Sequence, residues 1–242
     1  MTDNMLRTER FPTPWCPGCG LNSLIIQTAN VFTKLKMDKT NTSVVSGIGC
    51  TARASGFFNV DGVNGLHGRA IPLAEGIKLA NPALNVVVMS GDGDIAGIGG
   101  NHLLHSARRD ADLTIICSVN ETYGMTGGQM SPLTKKGTKT LTSPSGSEYE
   151  AMNLQGLVSM NAHYFFARTS TAHPVHMAKC IEAALSHCGF AFVEVLNPCF
   201  TNLGSRTGFG SFGEMITNLK DKFKIVDNVS KLADDELGIV KK

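Results

Sequence analysis

Long apolar runs are missing from this chain of 242 residues, and none of its segments could cross a bilayer as a helix. No membrane role is expected. A strong charge bias is missing too. The 22 basic residues face 20 acidic ones, and a net charge of +2 is too small to mark nucleic acid as the main partner. The first residues, "MTDNMLRTERF", lack an apolar segment, which argues against a secretory signal and for the cytoplasm. There is no G-x-x-x-x-G-K-[ST], so a nucleotide triphosphatase of that type is not expected. One C-x-x-C occurs, in "WCPGCG" from Trp15, with no second such pair and no two histidines at the H-x₃₋₅-H spacing that would complete a zinc site. Seven cysteines are present. In a reducing compartment they point to a cofactor or to catalysis rather than to disulfides.

Five nearly continuous apolar stretches read as strands covered on both faces: "TSVVSGIG" from Thr42, "NVVVMSGD" from Asn85, "LTIICSVN" from Leu113, "HYFFARTS" from His163 and "FAFVEVLN" from Phe190. Helical patterns lie between most of them, at 69–80, 101–110 and 173–188, and another is expected from Leu21. This alternation predicts an α/β fold, a doubly wound and mainly parallel sheet. The whole chain, 1–242, reads as a single domain with a polar tail from about 228 expected at its periphery. The segment 123–150, rich in Gly, Ser, Thr, Pro and Lys, is too long for an idle connection and reads as a functional loop.

Ligands of parallel sheets bind beyond the carboxyl ends of the strands. The residues there are Cys50 in "GIGCTAR", Gly91 to Asp94 in "GDGD", Asn120 in "VNETYGMTGGQ" and Cys199 in "NPC". Two cysteines, an acidic glycine turn and an asparagine therefore share one rim. "GDGDIA" comes close to a dinucleotide fingerprint. A bare diphosphate there would face Asp92 and Asp94, where an anion needs positive potential. Mg²⁺ removes the conflict, with Asp92 giving a carboxylate, Asn120 an amide oxygen and Thr122 a backbone carbonyl. The plain alternative is a solvated turn with Asp94 capping the next helix.

The run "GDGD…NxTYGMTGGQ" resembles the metal–diphosphate motif of thiamine diphosphate enzymes. With "WCPGCG", "GIGC", "HGRA" and "NPC", the chain from about Trp15 to Cys199 resembles the β subunits of 2-oxoacid:ferredoxin oxidoreductases. The resemblance implies the thiamine diphosphate-binding type of sheet, with cofactor contacts at Ile48, Gly49, Cys50, Thr51, His67, Gly91, Gly93, Asp94, Gly124, Met125 and Thr126. It also implies one [4Fe–4S] cluster on Cys16, Cys19, Cys50 and Cys199. Residues before the C-x-x-C do not form the strand that a thioredoxin-like dithiol would follow. Cys117, Cys180 and Cys188 are expected to pack in the core.

The resemblance implies a place for His67 near the reacting centre, where it could hold or move a proton. Arg53 is expected to grip a substrate carboxylate. The implied activity is coenzyme A-dependent oxidative decarboxylation of a 2-oxoacid with one-electron transfer to ferredoxin, or its reverse. "GIGCTAR" looks most like the 2-oxoglutarate-using branch, with pyruvate or a branched-chain 2-oxoacid as the alternatives. The family completes its site with a larger α subunit, as an αβ pair that dimerises. Two other readings differ in chemistry. A non-redox thiamine diphosphate decarboxylase or synthase would carry no iron, and an iron–sulfur electron carrier would carry no thiamine diphosphate.

Overall fold

The computed structural model describes residues 5–241. Its strands are β1 (Thr42–Ser46), β2 (Asp61–Asn64), β3 (Asn85–Gly91), β4 (Thr114–Val119), β5 (Thr122–Tyr123), β6 (Gln129–Met130), β7 (Phe165–Ser170), β8 (Ala191–Leu196), β9 (Lys224–Ile225) and β10 (Glu236–Lys241). The helices are α1 (Leu21–Lys34), α2 (Ala70–Ala80), α3 (Gly100–Arg108), α4 (Leu154–Val158), α5 (Pro174–Leu185) and α6 (Phe212–Lys222). Among the described residues, the main sheet has eight strands in the order β2-β1-β3-β4-β8-β7-β10-β9. All of its pairings are parallel except β7 with β10. The expected mainly parallel α/β sheet is present.

The continuous apolar runs have a direct cause. Side chains alternate across a strand, and both faces of this sheet are covered. Val44, Val87, Met89 and Ile116 pack on one side with Leu24, Ile25 and Phe32 of α1 and Met177 and Ile181 of α5. Val45, Val88, Ile115 and Cys117 pack on the other side with Ile71 and Ala74 of α2 and Leu103 of α3. Every residue of β1, β3 or β4 between the ends is therefore inside.

Two expectations need correction. The tail from about 228 is not peripheral, because β10 pairs with β7 from Gly238 opposite Arg168 to Lys241 opposite Phe165. Leu237 and Val240 are buried there, as is Leu232 ahead of the strand. A central strand edge needs a hydrogen-bonding partner, and the short apolar run "LGIV" supplies one inside a polar sequence. Cys188 does not pack in the core either. Helix α5 stops at Leu185, and Cys188 is exposed in the turn that follows.

Chain order reverses between β1 and β3, since β1 is followed by β2 on one side and by β3 on the other. That gap is where a doubly wound sheet opens a crevice for a ligand.

Candidate active site

Segments after β1 and β3 meet across this crevice, and Asp94 ties them together. Its buried carboxylate accepts from Ile48 N at 3.1 Å, Gly68 N at 2.7 Å and Ser90 Oγ at 2.7 Å. His67 Nδ1 lies 2.5 Å from Asp94 Oδ1. Asp94 is not a helix cap, because the wound segment Gly93–Ile98 has no side-chain cap. Its carboxylate is committed to four donors, so it shapes the crevice and orients His67 rather than offering a free oxygen to a ligand. A Cβ at Gly47 would stand 2.0 Å from Asp94 Oδ2, which accounts for the glycine that ends the β1 run.

Asp92 is also buried, with a different set of partners. It accepts from Ser131 Oγ at 2.9 Å and from the backbone N–H groups of Asn120 and Gly93. Burial pushes its pKa up to about 7, and the hydrogen bonds from Ser131 and Asn120 only partly oppose this. A carboxylate this deep, paired with no Lys, Arg or His among the described residues, has the chemistry of a hard-metal ligand. Asn120 Oδ1 accepts from Thr122 N at 3.1 Å, which leaves that oxygen a further lone pair. Asp92, Asn120 and Thr122 are thus brought together where β3 and β4 end.

The 123–150 segment is packed rather than idle. Strands β5 and β6 form a small hairpin at its start. Ser131 then reaches Asp92, Thr134 Oγ1 donates to Glu121 O at 2.6 Å, and Lys135 pairs with Glu121. Each contact grips Asp92 or the Asn120–Thr122 turn, so this loop holds the candidate metal ligands in place. Sequence reasoning missed Ser131, Thr134 and Lys135, because nothing local distinguishes them from other polar loop residues. Gly93 lets Tyr123 close over the turn, where a Cβ would come within 2.3 Å of the ring.

The four cysteines named from the sequence line one cavity of about 270 Å³. Trp15, Asn120, Gly124, Met125 and Asn197 line it as well. Trp15 Nε1 donates to Cys50 O at 2.8 Å and fastens the N-terminal segment over the rim. Cys19, Cys50 and Cys199 have thiol pKa values raised above the ordinary value, first by burial and then, for Cys50, by Cys199. A bound cation would favour the thiolate form of such a group. Among the described residues, no three His, Cys, Asp or Glu side chains form a group that could hold a metal ion. An iron–sulfur cluster places irons and sulfides between its thiolates, so its ligands stand farther apart than those of a lone ion. Cys117 and Cys180 are buried away from this cavity, and burial pushes the Cys180 thiol up to about 12.

Gly49 has φ +121°, in the region that favours glycine, and nothing lies within 4 Å of the Cβ it lacks. Open space thus adjoins the "GIGC" backbone beside Cys50 and Thr51. Gly91 ends β3 next to Thr51 Oγ1, and Met125 is exposed at the cavity. Thr126 sits differently. Its hydroxyl is engaged with Gln129 Oε1 at 2.6 Å, within the hairpin. Arg53, in the 3₁₀ helix Thr51–Phe57, is exposed at the same cavity.

Among the described residues, no helix is long and apolar enough to cross a membrane. The family of thiamine pyrophosphate enzymes, C-terminal TPP binding domain, matches residues 47–195. The 2-oxoglutarate synthase subunit KorB of Methanothermobacter thermautotrophicus is 41% identical over 96% of this chain and 81% of its own length. The β subunit of 2-oxoacid:ferredoxin oxidoreductase 1 of Aeropyrum pernix is 41% identical over 81% of this chain and 61% of its own length. A solved 2-oxoglutarate:ferredoxin oxidoreductase from Magnetococcus marinus, with 2-oxoglutarate, coenzyme A and succinyl-CoA bound, superposes with a TM-score of 0.85. It is 30% identical, covering 96% of this chain and 81% of the solved one. The chain belongs to the thiamine pyrophosphate enzymes, in the family of 2-oxoacid:ferredoxin oxidoreductase β subunits.

Proposed function

We propose that this chain is the β subunit of a cytoplasmic, coenzyme A-dependent 2-oxoacid:ferredoxin oxidoreductase, with 2-oxoglutarate as its substrate and a larger α subunit as its partner. One observation carries the reading. Cysteines 16, 19, 50 and 199, far apart in sequence, line one cavity with Asn120, Gly124 and Met125, next to the buried carboxylate of Asp92.

Mg²⁺ would be held by Asp92, Asn120 and the Thr122 carbonyl, against the diphosphate of thiamine diphosphate. The cofactor would lie along Ile48 to Thr51, Gly91, Gly93 and Gly124 to Thr126, and one [4Fe–4S] cluster would take the four cysteines. When bound, thiamine diphosphate supplies a nucleophilic carbon and an electron sink for decarboxylation, and the cluster accepts electrons singly. The residues of this chain take separate roles around these groups. Asp94 fixes His67 through Nδ1, leaving Nε2 to hold or pass a proton. Arg53 gives a planar pair of donors for a substrate carboxylate. Trp15 and the C-x-x-C segment cover the thiols and limit water there.

The test is anaerobic purification together with the α partner, then analysis of iron, sulfide and thiamine diphosphate and assay on a panel of 2-oxoacids. Four irons per chain and turnover of 2-oxoglutarate are expected. Ser at Cys16, Cys19, Cys50 or Cys199 should remove the iron, while exposed Cys188→Ser should keep it. Equal iron loss from Cys188→Ser would overturn the cluster assignment.

A further inference from the structure

Three arginines surround a second cavity, and two of them, Arg7 and Arg10, take no part in the chemistry above. Arg7, Arg10 and Arg53 line a space of about 510 Å³, and its walls include no aspartate or glutamate. Among the described residues, none of the three pairs with a carboxylate. Glu9, between Arg7 and Arg10 in sequence, lines an adjoining cavity instead. Two of the arginines are fixed by the backbone: Arg7 Nη2 donates to Val60 O at 3.1 Å, and Arg10 Nη1 to Gly56 O at 2.7 Å. A guanidinium carries five donors, so most of each fork stays open to a ligand.

The position of this cleft is as informative as its charge. Pro14 and Arg53 line both it and the cysteine cavity, so the two adjoin. A cleft with walls of one charge sign focuses the field and speeds encounter with a partner of opposite sign. The chain carries a net charge of only +2, so the potential here comes from local placement. Arg53 is assigned above to the substrate carboxylate, which leaves half-buried Arg7 and exposed Arg10, both on the segment ahead of the C-x-x-C, for carboxylates on a partner's surface.

We propose that this arginine cleft docks an acidic one-electron carrier protein of the ferredoxin type, next to the cysteines through which electrons leave. The proposal rests on the oxidoreductase reading above and adds the surface and the chemistry of recognition.

The test uses the reconstituted complex with its α subunit and two acceptors, a ferredoxin and the cationic dye methyl viologen. Arg7→Gln/Arg10→Gln should raise the KM for ferredoxin about tenfold at low salt, as expected when steering charges are lost. Viologen reduction, iron content and the KM values for 2-oxoacid and coenzyme A should not change. The difference from wild type should shrink as salt rises, because these charges are screened. Arg7→Lys/Arg10→Lys should restore ferredoxin affinity, since charge rather than fork geometry does the steering. An unchanged KM for ferredoxin in the Gln variant overturns the proposal. So does a raised KM for coenzyme A with ferredoxin unaffected, which would mark a small-polyanion site, or loss of the α subunit on gel filtration, which would mark a subunit interface. A wild-type complex that reduces neither acceptor with any 2-oxoacid would defeat the oxidoreductase reading itself, a separate and recognisable failure.

Discussion

Asp92 and Asp94 stand two residues apart, and both are buried, yet their environments give them different work. Asp94 is saturated by four donors and serves as a strut between β1, the Gly68 turn and His67. Asp92 is short of positive charge, and burial holds its pKa near 7. A substitution that keeps the shape and removes the charge separates the two roles. Asp92→Asn keeps an acceptor for Ser131 and removes a costly buried charge, so the fold should be as stable or more so. Retention of Mg²⁺ and thiamine diphosphate should drop by more than about a hundredfold, given that even outer-shell changes at metal sites cost about 10–100-fold. Calorimetric titration of the cofactor in the presence of Mg²⁺ would measure this, and full retention would refute the metal assignment.

At the scale of elements, α5 on β7 carries a pH dependence of its own. His176 lies between Thr169, whose Oγ1 is 2.9 Å from Nδ1, and the Cys180 thiol at 3.7 Å. Burial lowers its pKa below the ordinary 6.5, as do the charges of His173 and Lys179, with Asp227 opposing. His173 is lowered as well, first by burial and then by Lys220. The unfolded chain therefore takes up these protons first as pH falls, so the stability they contribute is complete above about 6.5 and is lost as pH drops through the folded values. His176→Gln keeps a partner for Thr169 and does not titrate. Its urea midpoint should fall less than that of wild type between pH 7.5 and 5, and parallel curves would refute the assignment.

Elements covered on both faces were legible in the sequence, because two-sided burial forces an unbroken apolar run, as in "VVVM" of β3. Elements held by one face or by an edge were not. In β2, "DGVN" is almost wholly exposed and carries no period. In β10, four apolar or small residues are hidden among charges. Helix α6 carried a readable signal that was missed: Ser211 accepts from Glu214 N, the S-x-x-E start of a helix. Cys50 and Cys199 could be grouped because each follows a strand on the same rim, whereas Cys16 and Cys19 joined them only through the family resemblance. Ser131 could not, because its link to Asp92 spans 39 residues.

The whole molecule is a sheet whose carboxyl rim carries two adjoining cavities, with Arg53 between them. Arg53 has no carboxylate partner among the described residues, and it sits beside Cys50 at the exposed end of the site. This placement allows a substrate carboxylate to be paired without a competing internal anion. 2-Oxoglutarate carries a second carboxylate that pyruvate and 2-oxobutyrate lack, and a carboxylate held away from water needs a cation. Arg53→Met keeps the length and the apolar stem but removes every donor. In the complex with the α subunit, it should leave iron and thiamine diphosphate in place and raise the KM for 2-oxoglutarate by roughly 10- to 100-fold. That range corresponds to the about 1.5–3 kcal/mol of a hydrogen bond to a charged group. The KM for 2-oxobutyrate should change much less, since it lacks the second carboxylate. Steady-state kinetics with both acids would decide it. Equal changes for the two would give Arg53 a general orienting role, and wild-type turnover of pyruvate above that of 2-oxoglutarate would move the substrate assignment while leaving the thiamine chemistry in place.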